Sequence, residues 1–597
     1  MTMRVYRQWI LVVILGVWAS GCEGGQAPQK DTSKTIGPHP PAVGNAETDD
    51  APPNPAVLTV LANLKEGDRL TEAEREAEIE RLTEALKNAR TRKARFDAAR
   101  ELKRLVHPPA LPKSEPAWRY LVAKNNYSKK KIERMLAGTW AANATFEKFV
   151  EAVEPLDGPL DGFIPFTAWS EPIPVAGGEA VDLETYYREC YRRGFIPTIW
   201  IVDAGDVEVH LEKFKTLERL GYPIFVFGRG WGQFTTDRAE VHATHKYCIG
   251  TWRQIRDEER ARCEAVIAAF KKHNIEPDFF YYDWEKGFRA RNERDIANIE
   301  KDFVKAKDCP LCRKRLDPKY LEDAQSYVRA AEVYRSRVAR EAWVEPLTAY
   351  HPDMKLGNYY STPHTRSDKP LPRSIARAVG WHGAGWHYAM PVLYSRMYKY
   401  MDRRELVAWN MFRFHLEEIS VGARNLVGDE YLIPWTKNFL LRYANKFVPR
   451  GGAYVQLNNG RTHYPMPESA YTEMLRHGYL RGARTYASWI TYGHAFEVDG
   501  ENNYLRELKN HRDALNDMLP HRDVIYNGRI LNTEVPGDYD SLDGAAIWSG
   551  MATNNRAVIR ATSFTGKDEK VEVEVFGRKE TLTAPAGGKT HVVKRRE

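Results

Sequence analysis

From about Asp157 the chain alternates short apolar runs with longer charged stretches of helical period. This alternation restricts the fold more than any other feature of the sequence. The first run is Gly162-Phe163-Ile164-Pro165-Phe166-Thr167-Ala168-Trp169, and the second spans Phe195 to Asp203. The third is Tyr222-Pro223-Ile224-Phe225-Val226-Phe227-Gly228, and the fourth spans Asp278 to Gly287. Helical stretches lie between them, such as Leu183 to Arg193 and Asp257 to His273. Later runs are Lys355 to Ser361, Tyr388 to Ser395, a poorly marked one around Asn425 to Trp435, and Thr485 to Tyr492. Strands that alternate with helices build a parallel sheet with helical crossovers. About eight such units over residues 157–520 fit an α/β fold of the (β/α)8 TIM-like barrel type with insertions. For the seventh unit, Gly452 to Leu457 competes with the poorly marked run. A doubly wound sheet is the alternative, but no Gly-rich phosphate loop follows the first strand.

The chain has 597 residues, too many for one core, so flanking domains are expected. Between residues 57 and 156, Leu82, Leu86, Ala89 and Phe96 recur at spacings near three and four. Thr71-Glu72-Ala73-Glu74 reads as a helix start with acids in the first turn. This segment is a helical spacer or support, or alternatively a coiled-coil contact. From about 521, short apolar runs (524–530, 545–548, 556–561, 571–575 and 591–593) are separated by turn signals. They predict a small C-terminal β-sandwich, either a brace or a sugar-binding module.

The N-terminus reads as a targeting segment. Arg4 and Arg7 precede the apolar run Ile10 to Trp18, which is too short to span a bilayer as a mature helix. Ala19-Ser20-Gly21-Cys22 follows and resembles a bacterial lipobox, although Ala19 stands where Leu is usual. That resemblance implies cleavage before Cys22, lipid attachment to it, and a place in the cell envelope of a bacterium, periplasmic or at the surface. An ordinary secretory signal is the alternative. Residues 23–56 are rich in Gly, Pro, Asp and Thr and predict a disordered tether. A net charge of +8, from 88 basic and 80 acidic residues, is small for this length, and there is no long basic block. No nucleic-acid partner is expected.

Apart from Cys22 there are five cysteines: Cys190, Cys248, Cys263, Cys309 and Cys312. Cys309-Pro310-Leu311-Cys312 is a lone Cys-x-x-Cys without an evident second half for zinc. A local disulfide or two thiols is the expectation, and no metal or cofactor is expected. His242-Ala243-Thr244-His245 reads as a solvated loop. The stretch Thr362 to Trp386, with His364, His382 and His387 in or beside it, is placed as one wall of a cleft.

Catalytic residues of a barrel sit at the C-terminal ends of its strands. Those positions hold Trp169, Asp203, Arg229, Trp231, Asp283, Glu285, Asn358, Tyr359, Tyr394, Trp435 and Trp489. Aromatic rings pack on the apolar faces of sugars, while polar groups bind hydroxyls. The fourth run, Asp278-Phe279-Phe280-Tyr281-Tyr282-Asp283-Trp284-Glu285-Lys286-Gly287, ends in two carboxylates. Strand alternation puts Tyr281, Asp283 and Glu285 on one face. Two acidic groups in one pocket are what glycoside hydrolysis requires.

Asp278 through Glu285 resembles the signature strand of family 18 glycoside hydrolases, the chitinase-like enzymes, which runs Asp-Gly-x-Asp-x-Asp-x-Glu. Asp278, Asp283 and Glu285 match it; Phe279 replaces the usual Gly and Tyr281 the inward Asp. The core Asp283-Trp284-Glu285 is also similar to family 56, the hyaluronidases. Tyr394 and Trp489 are similar to the substrate-positioning Tyr and the floor Trp of these families. The resemblance implies that Glu285 is the general acid and then the base. It implies that Asp283 orients the substrate's N-acetyl group as nucleophile and that Tyr394 hydrogen-bonds that group. A two-carboxylate version with Glu430 as a strand-seven nucleophile stays open beside it, on the premise that Glu430 does not merely begin the strand. The expected activity is hydrolysis of a polysaccharide or oligosaccharide. A surface protein that binds sugar without cleaving it and a structural envelope lipoprotein are the alternatives.

Overall fold

In the computed structural model, the described residues are 80–81, 84, 146–168, 182–228, 248–282, 293–359, 381–393, 404–443, 455–456, 461–489, 497–498, 501–535, 537–538 and 541–596. Most of the helical segment predicted for 57–156, together with the leader and tether, lies outside them. The first continuous stretch opens with helix α1 (Phe146–Ala152).

The architecture is α/β. A parallel sheet runs in sequence order through β2 (Ile199–Ile201), β3 (Phe225–Gly228), β4 (Phe279–Tyr282), β5 (Lys355–Tyr359), β6 (Tyr388–Met390) and β7 (Tyr431–Leu432). A second parallel sheet has the order β1 (Thr167–Ala168), β12 (Ala487–Ser488), β8 (Trp435–Thr436). Isolated parallel bridges Phe166–Phe195, Val392–Trp435 and Leu432–Ala483 link residues in or next to these strands. Backbone hydrogen bonds support them, among them Ile196 N to Phe166 O (3.0 Å) and Leu393 N to Trp435 O (2.7 Å).

The connecting helices are α2 (Leu183–Tyr191), α3 (Ala204–Val209), α4 (Leu211–Leu220), α5 (Trp252–His273), α6 (Glu293–Asp308), α7 (Pro310–Arg315), α8 (Ala324–Ala339), α9 (Glu345–Tyr350), α10 (Arg404–Arg424), α11 (Glu468–Tyr479), α12 (Asn503–Met518) and α13 (Arg522–Asn527). Their ends follow local chemistry. Asp182 caps α2 by accepting from Thr185 N, and Asn502 caps α12 by accepting from Tyr504 N and Leu505 N. Asn274 ends α5 in the left-handed conformation at φ 50°, which Asn tolerates better than most residues.

Runs such as Phe225-Val226-Phe227 and Phe279 to Tyr282 are buried throughout, as strands covered on both faces must be. The seventh run is marked weakly because Pro434 has no N–H to donate and separates β7 from β8. Only Val455 and Gln456 of the competing run Gly452 to Leu457 are described. They form β10 (Val455–Gln456), which joins β11 (Arg461–Pro465) and β9 (Phe439–Tyr443) in an antiparallel sheet. A short pair, β13 (Glu497–Val498) and β14 (Glu501–Asn502), precedes α12.

The C-terminal strands form two antiparallel sheets. One has the order β15 (Arg529–Ile530), β16 (Ala546–Ala552), β17 (Arg556–Ser563), β20 (Lys589–Lys594). The other pairs β18 (Glu569–Val575) with β19 (Arg578–Ala584). In β18, Val571, Val573 and Val575 are buried while Lys570, Glu572 and Glu574 are exposed, and the valines share a cluster with Ala557, Ile559 and Ala561 of β17. The expected strand at 524–530 is corrected: Val524 to Asn527 belongs to α13, and only Arg529–Ile530 pairs as a strand. Its Val524 and Ile525 are buried as part of a helical turn.

Buried polar pairs join these sheets to α11. Arg560 Nε donates to Glu473 Oε2 (2.8 Å), and His477 bonds Ser549 Oγ (2.8 Å) and Thr562 Oγ1 (2.9 Å).

Candidate active site

Register fixes which side chains share a face. Phe227, Tyr281 and Gly357 are aligned across β3, β4 and β5, and Tyr282, Asn358 and Ala389 across β4, β5 and β6. The Tyr281 ring lies 5.0 Å from Phe227 and meets Trp435 edge-on at 5.5 Å. Trp435 in turn meets Tyr359 edge-on at 5.3 Å. The Tyr281 hydroxyl is 2.6 Å from Thr198 Oγ1, which is 2.7 Å from Thr167 Oγ1. Tyr282 points the other way and stacks on Trp343 of the helical layer at 4.4 Å and 14°. Tyr281, Tyr359 and Trp435 thus make one aromatic floor on the inner face, all fully buried or nearly so. Burial pushes the Tyr281 phenol far above its ordinary range, with the Thr198 hydrogen bond opposing it, so the ring stays neutral.

The first acid of the motif is at the opposite end of β4. Asp278 Oδ2 accepts from Ile224 N (2.7 Å), and burial raises its carboxyl above the usual range. It ties the entries of β3 and β4 together. Asp283, Glu285, Trp169, Arg229, Trp231, Tyr394 and Cys22 lie outside the described residues. In sequence, Asp283 directly follows Tyr282, Trp169 follows Ala168 and Tyr394 follows Leu393.

Other predicted residues fall in different places. Trp489 sits just beyond β12, half-buried, with its backbone N donating to Thr436 O (2.8 Å) and Lys437 Nζ 5.1 Å from its ring. It thus lies at the C-terminal end of β12. Tyr359 and Trp435 belong to the floor rather than to an open rim. Asn358 is a correction: in register with the outward Tyr282, it is fully buried, and its amide donates to Tyr359 O (2.9 Å). Asp203 is exposed and caps α3, accepting from Gly205 N (2.9 Å).

Glu430 is the larger correction. It precedes β7, accepts from Val427 N (2.8 Å), and lies 3.6 Å from His382 Nδ1. That is the entry of the strand, not the C-terminal end at which a strand-seven nucleophile is required. His382 and His387 gather at the same entry side, His387 accepting from Leu356 N (3.0 Å), so neither lines a cleft at the strand exits.

One polar group escaped the sequence reading. Glu507 of α12 is fully buried and accepts from Ser488 Oγ (2.6 Å), Asn438 N (2.9 Å) and Tyr471 Oη (3.0 Å). His511, one turn on, bonds Thr436 Oγ1 (3.2 Å) and Tyr471 Oη (3.2 Å). Together they fasten the exits of β8 and β12, from which Lys437 and Trp489 emerge. The partners are far apart in sequence, so only the helical spacing of Glu507 and His511 could have hinted at a shared face. Among the described residues, the group with metal-ligand character is Cys248, Cys309 and Cys312.

No protein-family model matches the chain, nor does any curated protein. Several solved structures share a weak likeness. Eubacterium rectale Amy13B is 8% identical, with 76% of this chain and 99% of that chain covered and a TM-score of 0.36. The α-amylase of Geobacillus thermoleovorans, solved with acarbose, is 10% identical over 76% and 97% of the two chains at a TM-score of 0.33. The Nostoc punctiforme debranching enzyme is 9% identical over 72% and 96%, also at 0.33. Likenesses this weak establish neither a family nor an activity for the chain.

Proposed function

We propose that this chain is a glycoside hydrolase acting on an external polysaccharide, with Glu285 as its general acid and base. The observation that carries the reading is the inward Tyr281, seated on the Trp435–Tyr359 floor and two residues before Asp283. Continued strand parity would turn Asp283 and Glu285 to the same side, above an apolar base that raises the pKa of an acid. In this reading the eight parallel runs close as a (β/α)8 barrel over 157–520, followed by a β-sandwich over 521–597.

Glu285 protonates the glycosidic oxygen and afterwards activates water. Asp283 orients an N-acetyl group on the substrate, with Tyr394 as its hydrogen-bond partner. Substrate assistance is preferred to a second carboxylate because Glu430 accepts from Val427 N at the strand entry. Trp489, with Lys437 against its ring, offers a stacking surface for a sugar. The leader and Cys22 support export and lipid anchoring in a bacterial envelope; among the described residues no helix is long and apolar enough to cross a membrane.

A sugar-binding protein without turnover is the second reading. It is favoured by Tyr281, a buried phenol bonded to Thr198 where the family 18 signature carries an inward Asp. The test is to incubate the purified protein with neutral, amino-sugar and acidic polysaccharides and measure released reducing ends and binding. Cleavage of an N-acetylated polymer supports the proposal. Binding without cleavage supports the second reading, and absence of both points to a structural envelope protein.

A further inference from the structure

We propose that Cys248, Cys309 and Cys312 hold a structural zinc ion through three thiolates. Of the expected local disulfide or two thiols, the thiols are found: no disulfide joins the five described cysteines. The fold brings Cys248, remote in sequence, onto the Cys-x-x-Cys pair. Its Sγ lies 3.7 Å from Cys309 Sγ and 3.8 Å from Cys312 Sγ, and all three sulfurs lie within 4.8 Å of one another. A disulfide needs ~2.05 Å. Zinc–sulfur bonds of ~2.3 Å in a tetrahedron put neighbouring sulfurs ~3.8 Å apart, which is the spacing seen.

Two backbone elbows present the thiols. Cys309 precedes α7, with Arg313 N bonded to Cys309 O (3.0 Å), so Cys312 returns to the same side one turn later. Cys248 opens the turn Ile249–Thr251 that leads into α5, and Thr251 Oγ1 bonds back to Cys248 O (2.7 Å). The elbows meet at Gly250. A Cβ there would stand 2.7 Å from Cys312 N and 2.7 Å from Leu311 C, so only glycine lets them approach this closely. Arg315 reaches back to Gly250 O (3.0 Å), and Trp252 Nε1 donates to Arg315 O (3.3 Å).

All three thiols are fully buried. Contact with Cys312, then burial, pushes the Cys248 thiol far above its ordinary range. A soft thiolate cluster without redox partners suits zinc among the common divalent ions. The ion would tie the connection after β3 to the connection after β4, the two segments that contain Trp231 and the Asp283–Glu285 pair. Zinc at this cluster is independent of the proposed glycosidase activity.

The test uses the untagged full-length protein, purified without chelator. Elemental analysis is expected to give about one zinc per chain, released as the thiols are titrated with a mercurial reagent. Cobalt exchanged into the site is expected to give an intense sulfur-to-metal charge-transfer band. Cys248→Ser, Cys309→Ser and Cys312→Ser are expected to lose the metal, while Cys190→Ser and Cys263→Ser keep it. Should the cluster variants fail to fold, zinc content and the cobalt spectrum of the wild type decide alone. Absence of stoichiometric zinc, a disulfide within the trio by mass spectrometry, or zinc retained in all three cluster variants would overturn the proposal.

Discussion

The Tyr281 hydroxyl lies 2.6 Å from Thr198 Oγ1, on the inner face of the parallel sheet. This contact sets the direction of β4 at its exit and makes Tyr281 part of the floor rather than a group that meets substrate. Tyr281→Phe removes one hydrogen bond while Thr198 keeps Thr167 as a partner. It should cost about 1 kcal/mol in urea denaturation and leave turnover within a few-fold. Loss of turnover comparable to that of a Glu285 variant would mean that the phenol touches the reacting sugar.

Trp435 is fully buried between Tyr281 and Tyr359. Trp435→Ala should therefore lower stability by roughly 3–5 kcal/mol, with Trp435→Phe much milder. An exposed rim tryptophan would instead show little stability loss, and chemical denaturation separates the two cases.

Two buried histidines give the protein an acid-side weakness. Burial lowers His415 to about 3, and burial with the nearby Arg481, Arg560 and Arg476 lowers His477 well below its ordinary value. In the unfolded chain both take up a proton near pH ~6.5. Their contribution is complete above that pH and is lost as pH falls from there toward the folded values. Each adds a slope of up to about 1.4 kcal/mol per pH unit. Urea midpoints between pH 7.5 and 5 should fall, and His477→Gln should flatten the decline; a flat wild-type profile would contradict this.

Gly250→Ala forces a methyl group against the Cys309–Cys312 elbow. It should cost roughly 1–3 kcal/mol and reduce metal retention during dialysis against a chelator. Gly158→Ala, where a Cβ meets nothing within 4 Å, is the control and should retain metal like the wild type.

The buried parallel strands were legible because a strand covered on both faces needs an unbroken apolar run, as in Phe225 to Phe227. The seventh was not, since Pro434 divides it into two short pieces, and the blurred boundary put Glu430 at the wrong end. Strand β19 was missed because Arg578, Lys579, Glu580 and Thr581 give no apolar signal at its start. The cysteine trio was illegible for another reason: Cys248 meets Cys309 across 61 residues, and no local spacing encodes that meeting. Glu507 and Ser488 sit on different elements, and their contact likewise exists only after packing.

In the proposed mechanism Glu285 does the proton transfer. The most direct measurement compares turnover and substrate affinity of wild type and Glu285→Gln on the best polysaccharide from the panel. If Glu285 is the acid, kcat falls by ~100- to 10,000-fold, with affinity by calorimetry nearly unchanged. Turnover preserved in Glu285→Gln would contradict it and remove the β4 carboxylates from the mechanism.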